Sequence, residues 1–206
     1  ANFLRLGAGA RAVGMGEAFT GLSNDVSGMN WNPSGLSNLK LAEVSFMRLS
    51  YVEEISYNYI AAAVPLADMG TIGVSYIGMN SGDIDRTTAD AAGEITNTGN
   101  KFAFTASAIT VSYSNKLNNF MEGNEIIDAI AVGLNFKKLG DSETADNTED
   151  SGIAFDAGGL YKTPVEGLTA GLVFQNLGPA MSQSAASLPM TIKLGGLYEV
   201  IPTEDQ

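Results

Sequence analysis

The 206-residue chain contains no cysteine and no histidine. That absence excludes disulfides, thiolate chemistry and Cys/His ligation of zinc or haem. It equally excludes every Ser–His or Cys–His nucleophile pair. Basic residues are scarce: 11 Lys and Arg stand against 23 Asp and Glu, a net charge of −12. Nucleic-acid binding rests on neutralising phosphates with Lys and Arg, so no nucleic-acid partner is expected. Adhesion to an anionic bilayer through a polybasic patch is not expected either. Charged residues of both signs make up only 17%, below the roughly 25% usual in soluble domains. Long apolar runs are missing too. The best, residues 60–65, is far short of the roughly 20 residues of a transmembrane helix. If the chain enters a membrane, it must do so as strands. No signal-peptide pattern opens the sequence, so an exported form is expected to have lost its leader already. With 6 prolines beside 24 glycines, a collagen-like or low-complexity chain is ruled out.

What is present is 45% hydrophobic residues, enough for a core, distributed in two regimes. Residues 1–40 mix helix formers with Gly14, Gly16 and Gly21, followed by turns at Ser23-Asn24-Asp25 and Trp31-Asn32-Pro33-Ser34-Gly35. This region reads as one glycine-containing helix over 8–22, a loop and a short second helical turn. Each glycine inside a helix costs roughly 1 kcal/mol, which close approach to other backbone would explain. From residue 42 the period changes to two. Alternation marks strands at 42–50, 55–63, 71–79, 101–113, 128–138, 153–162, 168–175 and 190–200. One face of each is apolar (Val44 and Phe46; Ile72, Val74 and Tyr76; Leu134 and Phe136). The other carries Gly, Ser, Thr, Asn and charge.

Strands of about 9–11 residues suit a tilted bilayer crossing, whereas soluble sandwiches more often use about 5–6. A soluble β-sandwich remains the alternative. If residue 41 is periplasmic, the connections 65–70 and 163–167 are short and internal, while 80–100, 139–152 and 177–189 are long and external, as outer-membrane barrels require. The connections 115–127 and 51–54 break the rule. Tyr113, Tyr161 and Tyr198 fall near one set of strand ends and Phe102, Phe136, Phe155 and Phe174 near the other, in the manner of aromatic girdles.

Several motifs compete with plainer readings. Gly7-Ala8-Gly9-Ala10-Arg11-Ala12 matches G-x-G-x-x-G/A, but a dinucleotide site needs a βαβ unit, and a strand-rich chain follows instead. The acidic residues Asp141, Glu143, Asp146, Glu149 and Asp150, like Asp83, Asp85 and Asp90, lack EF-hand spacing and read as solvated loops, so no metal is expected. Lys137, Lys162, Lys193, Asp156 and Glu199 fall on the polar face, where they either pair across a lumen or simply hydrate it. No pair of carboxylates stands out as acid and base, so no catalytic residue, no cofactor and no enzyme activity are expected.

The stretch Phe3-Leu4-Arg5-Leu6-Gly7-Ala8-Gly9-Ala10-Arg11-Ala12-Val13-Gly14-Met15-Gly16-Glu17-Ala18-Phe19-Thr20 is similar to the opening of the PorV/PorQ family. Asn24-Asp25-Val26-Ser27 and Trp31-Asn32-Pro33-Ser34-Gly35-Leu36 resemble that family's D-x-S-x-x-x-x-N-P-A-G-L stretch, with Ser34 where Ala is usual. Gly152-Ile153-Ala154-Phe155-Asp156-Ala157-Gly158 and Gln175-Asn176-Leu177-Gly178-Pro179 resemble it as well. The resemblance implies an all-β, antiparallel transmembrane β-barrel of the FadL-like class in the bacterial outer membrane, with about 14 strands. Residues 1–40 then form an N-terminal plug, with 7–36 inside the lumen, and 41–206 supply barrel strands. It implies plug–wall contacts for Arg11, Glu17, Asp25, Trp31, Asn32 and Pro33, although capping of local turns would account for such residues equally. Eight strands enclose an interior just filled by side chains, with no room for a plug. The chain is therefore expected to be the N-terminal part of a larger barrel, or to hold strands not legible as such, since an open edge cannot stay in lipid.

Two functions follow from the resemblance. A PorV-like barrel serves protein secretion of type IX or surface attachment, with secretion-system or surface proteins as partners and outer-membrane lipids around it. A FadL-like barrel admits a hydrophobic small molecule past the plug. Transport predicts an apolar pocket involving Met15, Phe19, Met29, Ile60 and Ile77. A partner protein predicts an exposed apolar loop patch instead, for which 181–188 is the modest candidate.

Overall fold

The computed structural model describes residues 1–50, 54–89, 93–120, 124–144 and 148–200. Asp90, Asp146 and residues 51–53 and 201–206 lie outside the described residues. The fold is all-β and antiparallel. Its main sheet has eight strands in the order β1 (Glu43–Ser50), β2 (Ser56–Pro65), β3 (Thr71–Asn80), β6 (Phe104–Lys116), β7 (Ile130–Glu143), β8 (Thr148–Lys162), β9 (Leu168–Leu177) and β10 (Thr191–Tyr198). Between β3 and β6, β4 (Ile84–Ala89) and β5 (Ile95–Phe102) pair, among the described residues, only with each other. Each strand of the main sheet neighbours the next in sequence apart from that inserted ribbon, so the sheet is a meander that local hairpins can build. Among the described residues β1 and β10 are not paired with each other, and the sheet does not close.

All eight expected strands are present. Three features differ from the sequence reading. The expected helix over 8–22 is one turn, α1 (Ala10–Gly14), because Gly16 and Glu17 follow with φ of 65° and 67° and reverse the chain. Segments 80–100 and 139–152 are not plain loops. The first holds the β4–β5 ribbon, rich in Thr and Ile, and Phe102 belongs to it rather than to β6. In the second, β7 and β8 stay paired from Leu139↔Gly152 up to Glu143↔Thr148. Backbone pairing continues there although outward side chains turn polar, so the alternation signal fades before the ladder does. A short helix, α2 (Glu125–Asp128), capped by Asn124, interrupts the chain between β6 and β7.

Residues 1–40 fold as 3₁₀ turns Asn2–Arg5, Val26–Asn30 and Pro33–Asn38 around α1, and pack on one face of the sheet, here the inner face. Asp25 caps the second turn by accepting from the Ser27 N–H at 2.9 Å. Asn32 caps the third, with Pro33 at the position where a missing N–H costs nothing. The main core lies between this segment and β2, β3 and β6, built from Val26, Met29 and Leu36 against Tyr57, Tyr59, Ile77 and Ala108. The outer face has the opposite character. Phe46, Ile60, Tyr76 and Ile109 stand opposite one another on four successive strands and are all exposed.

Candidate functional site

The inner face of β6 to β9 buries polar side chains: Ser112, Ser114, Asn135, Lys137, Asp156 and Gln175. Such groups are stable out of water only when paired. Asp156, fully buried on β8, is the hub. Its Oδ2 accepts from Lys137 Nζ at 2.8 Å and from Asn135 Nδ2 at 2.7 Å, and its Oδ1 accepts from the Asn176 backbone N–H at 2.8 Å. A β-bulge creates that last contact. Between the pairs Phe155↔Leu177 and Ala157↔Phe174, Gln175 and Asn176 together face Asp156 alone. Asn176 takes φ of 57°, a left-handed conformation that Asn tolerates better than most residues. Its side chain accepts from Lys137 Nζ at 2.9 Å and donates to the Pro189 carbonyl at 3.1 Å.

This cluster grips the N-terminal segment through its backbone. Asn135 Nδ2 donates to the Met29 carbonyl at 2.7 Å, Gln175 Nε2 to the Asn30 carbonyl at 2.9 Å, and Ser114 Oγ to the Ser34 carbonyl at 2.9 Å. From the other side, Asn32 Nδ2 donates to the carbonyls of Thr20 at 3.0 Å and Gly159 at 3.2 Å. Close approach requires glycine at two wall positions. A Cβ at Gly133 would sit on the backbone of Pro33 and Ser34, and one at Gly158 on the Asn32 carboxamide. The stretches 31–36, 152–158 and 175–179, far apart in sequence, therefore meet at one place.

No protein-family model matches the chain, and no curated protein matches it.

Of the six expected plug–wall residues, three touch the sheet. Asn32 and Pro33 do so as described. Trp31 is buried, its Nε1–H donates to the Ala8 carbonyl at 2.7 Å, and Lys193 Nζ of β10 lies 4.6 Å from its ring. Arg11 and Asp25 instead pair with each other at 2.8 Å within the N-terminal segment, where Arg11 also lies 5.2 Å from the Phe19 ring. Glu17 is exposed on the reversing turn. Of the polar-face charges, Lys137 and Asp156 pair, whereas Lys162, Lys193 and Glu199 form no ion pair among the described residues.

The five residues expected to line an apolar pocket are not brought together. Met29 and Ile77 share the main core, and Phe19 belongs to a separate cluster with Ala12 and Trp31. Met15 is exposed, and Ile60 points away from the N-terminal segment on the outer face because strand residues alternate sides. The loop 181–188 is not an apolar surface patch: Met181 and Leu188 are buried in the main core, Met181 against Gly152 near the start of β8. Asp150 latches this loop, accepting from the backbone N–H groups of Gln183 and Ser184 and from the hydroxyls of Ser182 and Ser184. Those bonds, the Ser184 hydroxyl first, hold its carboxyl below the usual carboxylate range. Asp150 lies beyond the apolar outer rows, the last apolar residue on its strand being Ile153. Asp83 faces Lys101 at 3.8 Å, and among the described residues no group of acidic side chains converges as a metal site would.

Asn135, Gln175 and Asn176 carry much of the anchoring and were not singled out as site residues in the sequence. Asn135 was legible only as one polar residue on the less apolar face of its strand. The bulge that aims Asn176 leaves no trace in periodicity.

Proposed function

We propose that this chain belongs to an outer-membrane β-barrel protein of the PorV/PorQ type, acting as a partner of protein-secretion machinery in export or surface attachment. The observation that carries the membrane part is the polarity of the sheet. Its outer face presents large apolar side chains to the surroundings, while its inner face buries a hydrogen-bonded polar cluster and the N-terminal segment. A soluble sheet with one packed face buries the apolar side and exposes the polar one; a transmembrane barrel does the reverse. On β7 the apolar outward run is Ile130, Val132, Leu134 and Phe136. It spans roughly 20 Å at about 3.4 Å per residue, close to the band of about 25 Å that such barrels expose. Beyond it stand Lys138, across from Ile153 of β8, and then the outward residues Gly140 and Ser142, across from Ser151 and Glu149.

The partner reading rests on the resemblance of the anchored motifs and on the β4–β5 ribbon. Among the described residues that ribbon is not paired with a strand of the main sheet, and it exposes Ile95. The channel reading has less support, since its five pocket residues do not converge. Membrane extraction of the full-length protein tests the first claim. A strand-rich protein that needs detergent and migrates differently on SDS gel before and after boiling is expected; a detergent-independent soluble monomer overturns it. For the second, cells lacking the protein should retain surface-bound cargo in the periplasm. Normal cargo export with impaired uptake of lipophilic compounds would favour the channel.

A further inference from the structure

We propose that the cleft between the N-terminal segment and the sheet, at the end where β6 and β8 finish, binds a phosphate group. This cleft encloses about 480 Å³, within the range of small-ligand sites. Three of the chain's scarce basic residues line it: Lys40, which follows the last 3₁₀ turn, Lys116 at the end of β6 and Lys162 at the end of β8. None of the three forms an ion pair with a described residue. Two carboxylates, Asp128 and Glu199, share the lining, so the cleft is cationic by one charge in a chain of −12.

The sheet register makes these lysines convergent. Lys116 stands opposite Ala131 of β7, which stands opposite Leu160 of β8, and Lys162 is the next residue on that same inner face. With strands about 4.8 Å apart and Lys162 two residues beyond Leu160, the two lysine backbones lie roughly 12 Å from each other, a gap that two four-carbon side chains close. Leu160 and Leu197 back the cleft and lower the local dielectric, which strengthens any charge contact made there. One carboxylate would satisfy one ammonium group. A phosphate carries about −1.5 to −2 charges and three acceptor oxygens, and so matches several ammonium donors at once. The phosphate monoester headgroup of phosphatidic acid and a soluble phosphate monoester share this chemistry.

The test is a phosphorus-NMR titration of the full-length protein in detergent with glycerol 3-phosphate and, separately, with dihexanoyl phosphatidic acid. Saturable binding of at least one is expected. It should weaken at least tenfold in K40Q/K116Q/K162Q and stay unchanged in K138Q, whose lysine lies outside the cleft. Binding of the phospholipid alone identifies a headgroup as the source, and equal binding of both identifies a soluble ester. Should the triple variant lose its folded form, Lys40→Gln alone, at an exposed position, should cost about threefold. No saturable binding of either probe, or binding indifferent to these substitutions, overturns the proposal. The outcome does not depend on the secretion reading, because neither probe requires a secretion partner.

Discussion

Lys137 Nζ lies 2.8 Å from Asp156 Oδ2, with the two side chains 5% and 0% exposed, on neighbouring strands beneath the N-terminal segment. Burying both charges is costly, and their attraction offsets that cost only when the remaining donors and acceptors are also met. Here they are. Asn135 and the Asn176 backbone complete Asp156, and the Asn176 side chain completes a second bond from Lys137. The pair does more than hold β7 to β8, since Asn135 and Gln175 beside it also bind the carbonyls of Met29 and Asn30.

Removing one charge should therefore hurt more than removing both. Asp156→Ala leaves an uncompensated buried ammonium and is expected to cost about 3–5 kcal/mol. Lys137→Met with Asp156→Asn should cost clearly less. Unfolding temperatures from heated, unboiled gel shifts across the double-mutant cycle check this. Additive losses would mean that the two residues act independently.

The glycines under the N-terminal segment should be sensitive to size alone. Gly158→Val places a side chain where the Asn32 carboxamide lies, and overpacking of this kind typically costs about 1–3 kcal/mol. The sheet should keep its strand content by circular dichroism while residues 20–36 become accessible to protease. The same change at Gly93, whose surroundings are open, tests instead for strain, since its φ is 83°.

The outer face separates a lipid environment from a watery one. Leu134 is 60% exposed near the middle of the apolar run of β7. In a soluble protein, Leu134→Arg at so exposed a site should change stability by no more than about 0.5 kcal/mol. On the membrane reading it should cost about 2–4 kcal/mol in refolding into lipid vesicles. A neutral result in vesicles would contradict the proposal.

Asp150 should govern the loop 181–188 in a pH-dependent way. Hydrogen bonds lower its carboxyl pKa, so its contribution to docking is present above the ordinary Asp value near 3.9 and is lost only as pH falls through the lowered value. Pepsin at pH 4 should leave the loop intact in the unaltered protein and cut it in D150N. Cleavage of both at the same rate would show that Asp150 does not latch the loop.

Much of the architecture could be read from residue order. Alternation located all eight strands of the main sheet because a half-buried strand must place every second side chain on the same face. Where outward residues become polar, at 139–143 and 148–152, that signal vanished although the backbone ladder continued. The Thr-rich ribbon β4–β5 was missed for a related reason: neither of its faces is buried against a core, so no alternation marks it.

The candidate site was legible in part. Asn32, Pro33, Trp31, Asp156 and Lys137 were marked by motif or by polar-face position, and the structure places all of them at the contact between the N-terminal segment and the sheet. For Arg11 and Asp25 the sequence left wall contact and local capping equally open, because an ion pair within one segment and one across to a wall look alike in a linear string; the structure pairs them with each other, and Asp25 caps a turn. Ile60 was misplaced in a pocket because one apolar residue can point to either side of a strand, and its neighbours Tyr57, Tyr59, Ala61 and Ala63 are apolar too.

The sequence by itself determined what this chain excludes and how it is layered: no thiol or imidazole chemistry, a strand-forming body, and a glycine-containing N-terminal segment of different character. Those properties are set by composition and by local period, which need no partner in space. Only the tertiary structure decided which face is inner, that three distant motifs meet around Asp156, and that three lysines share one cleft. All of these depend on strand register, and the meeting around Asp156 also on the bulge at Gln175 and Asn176; a register shift of one residue would send the same side chains to the opposite face.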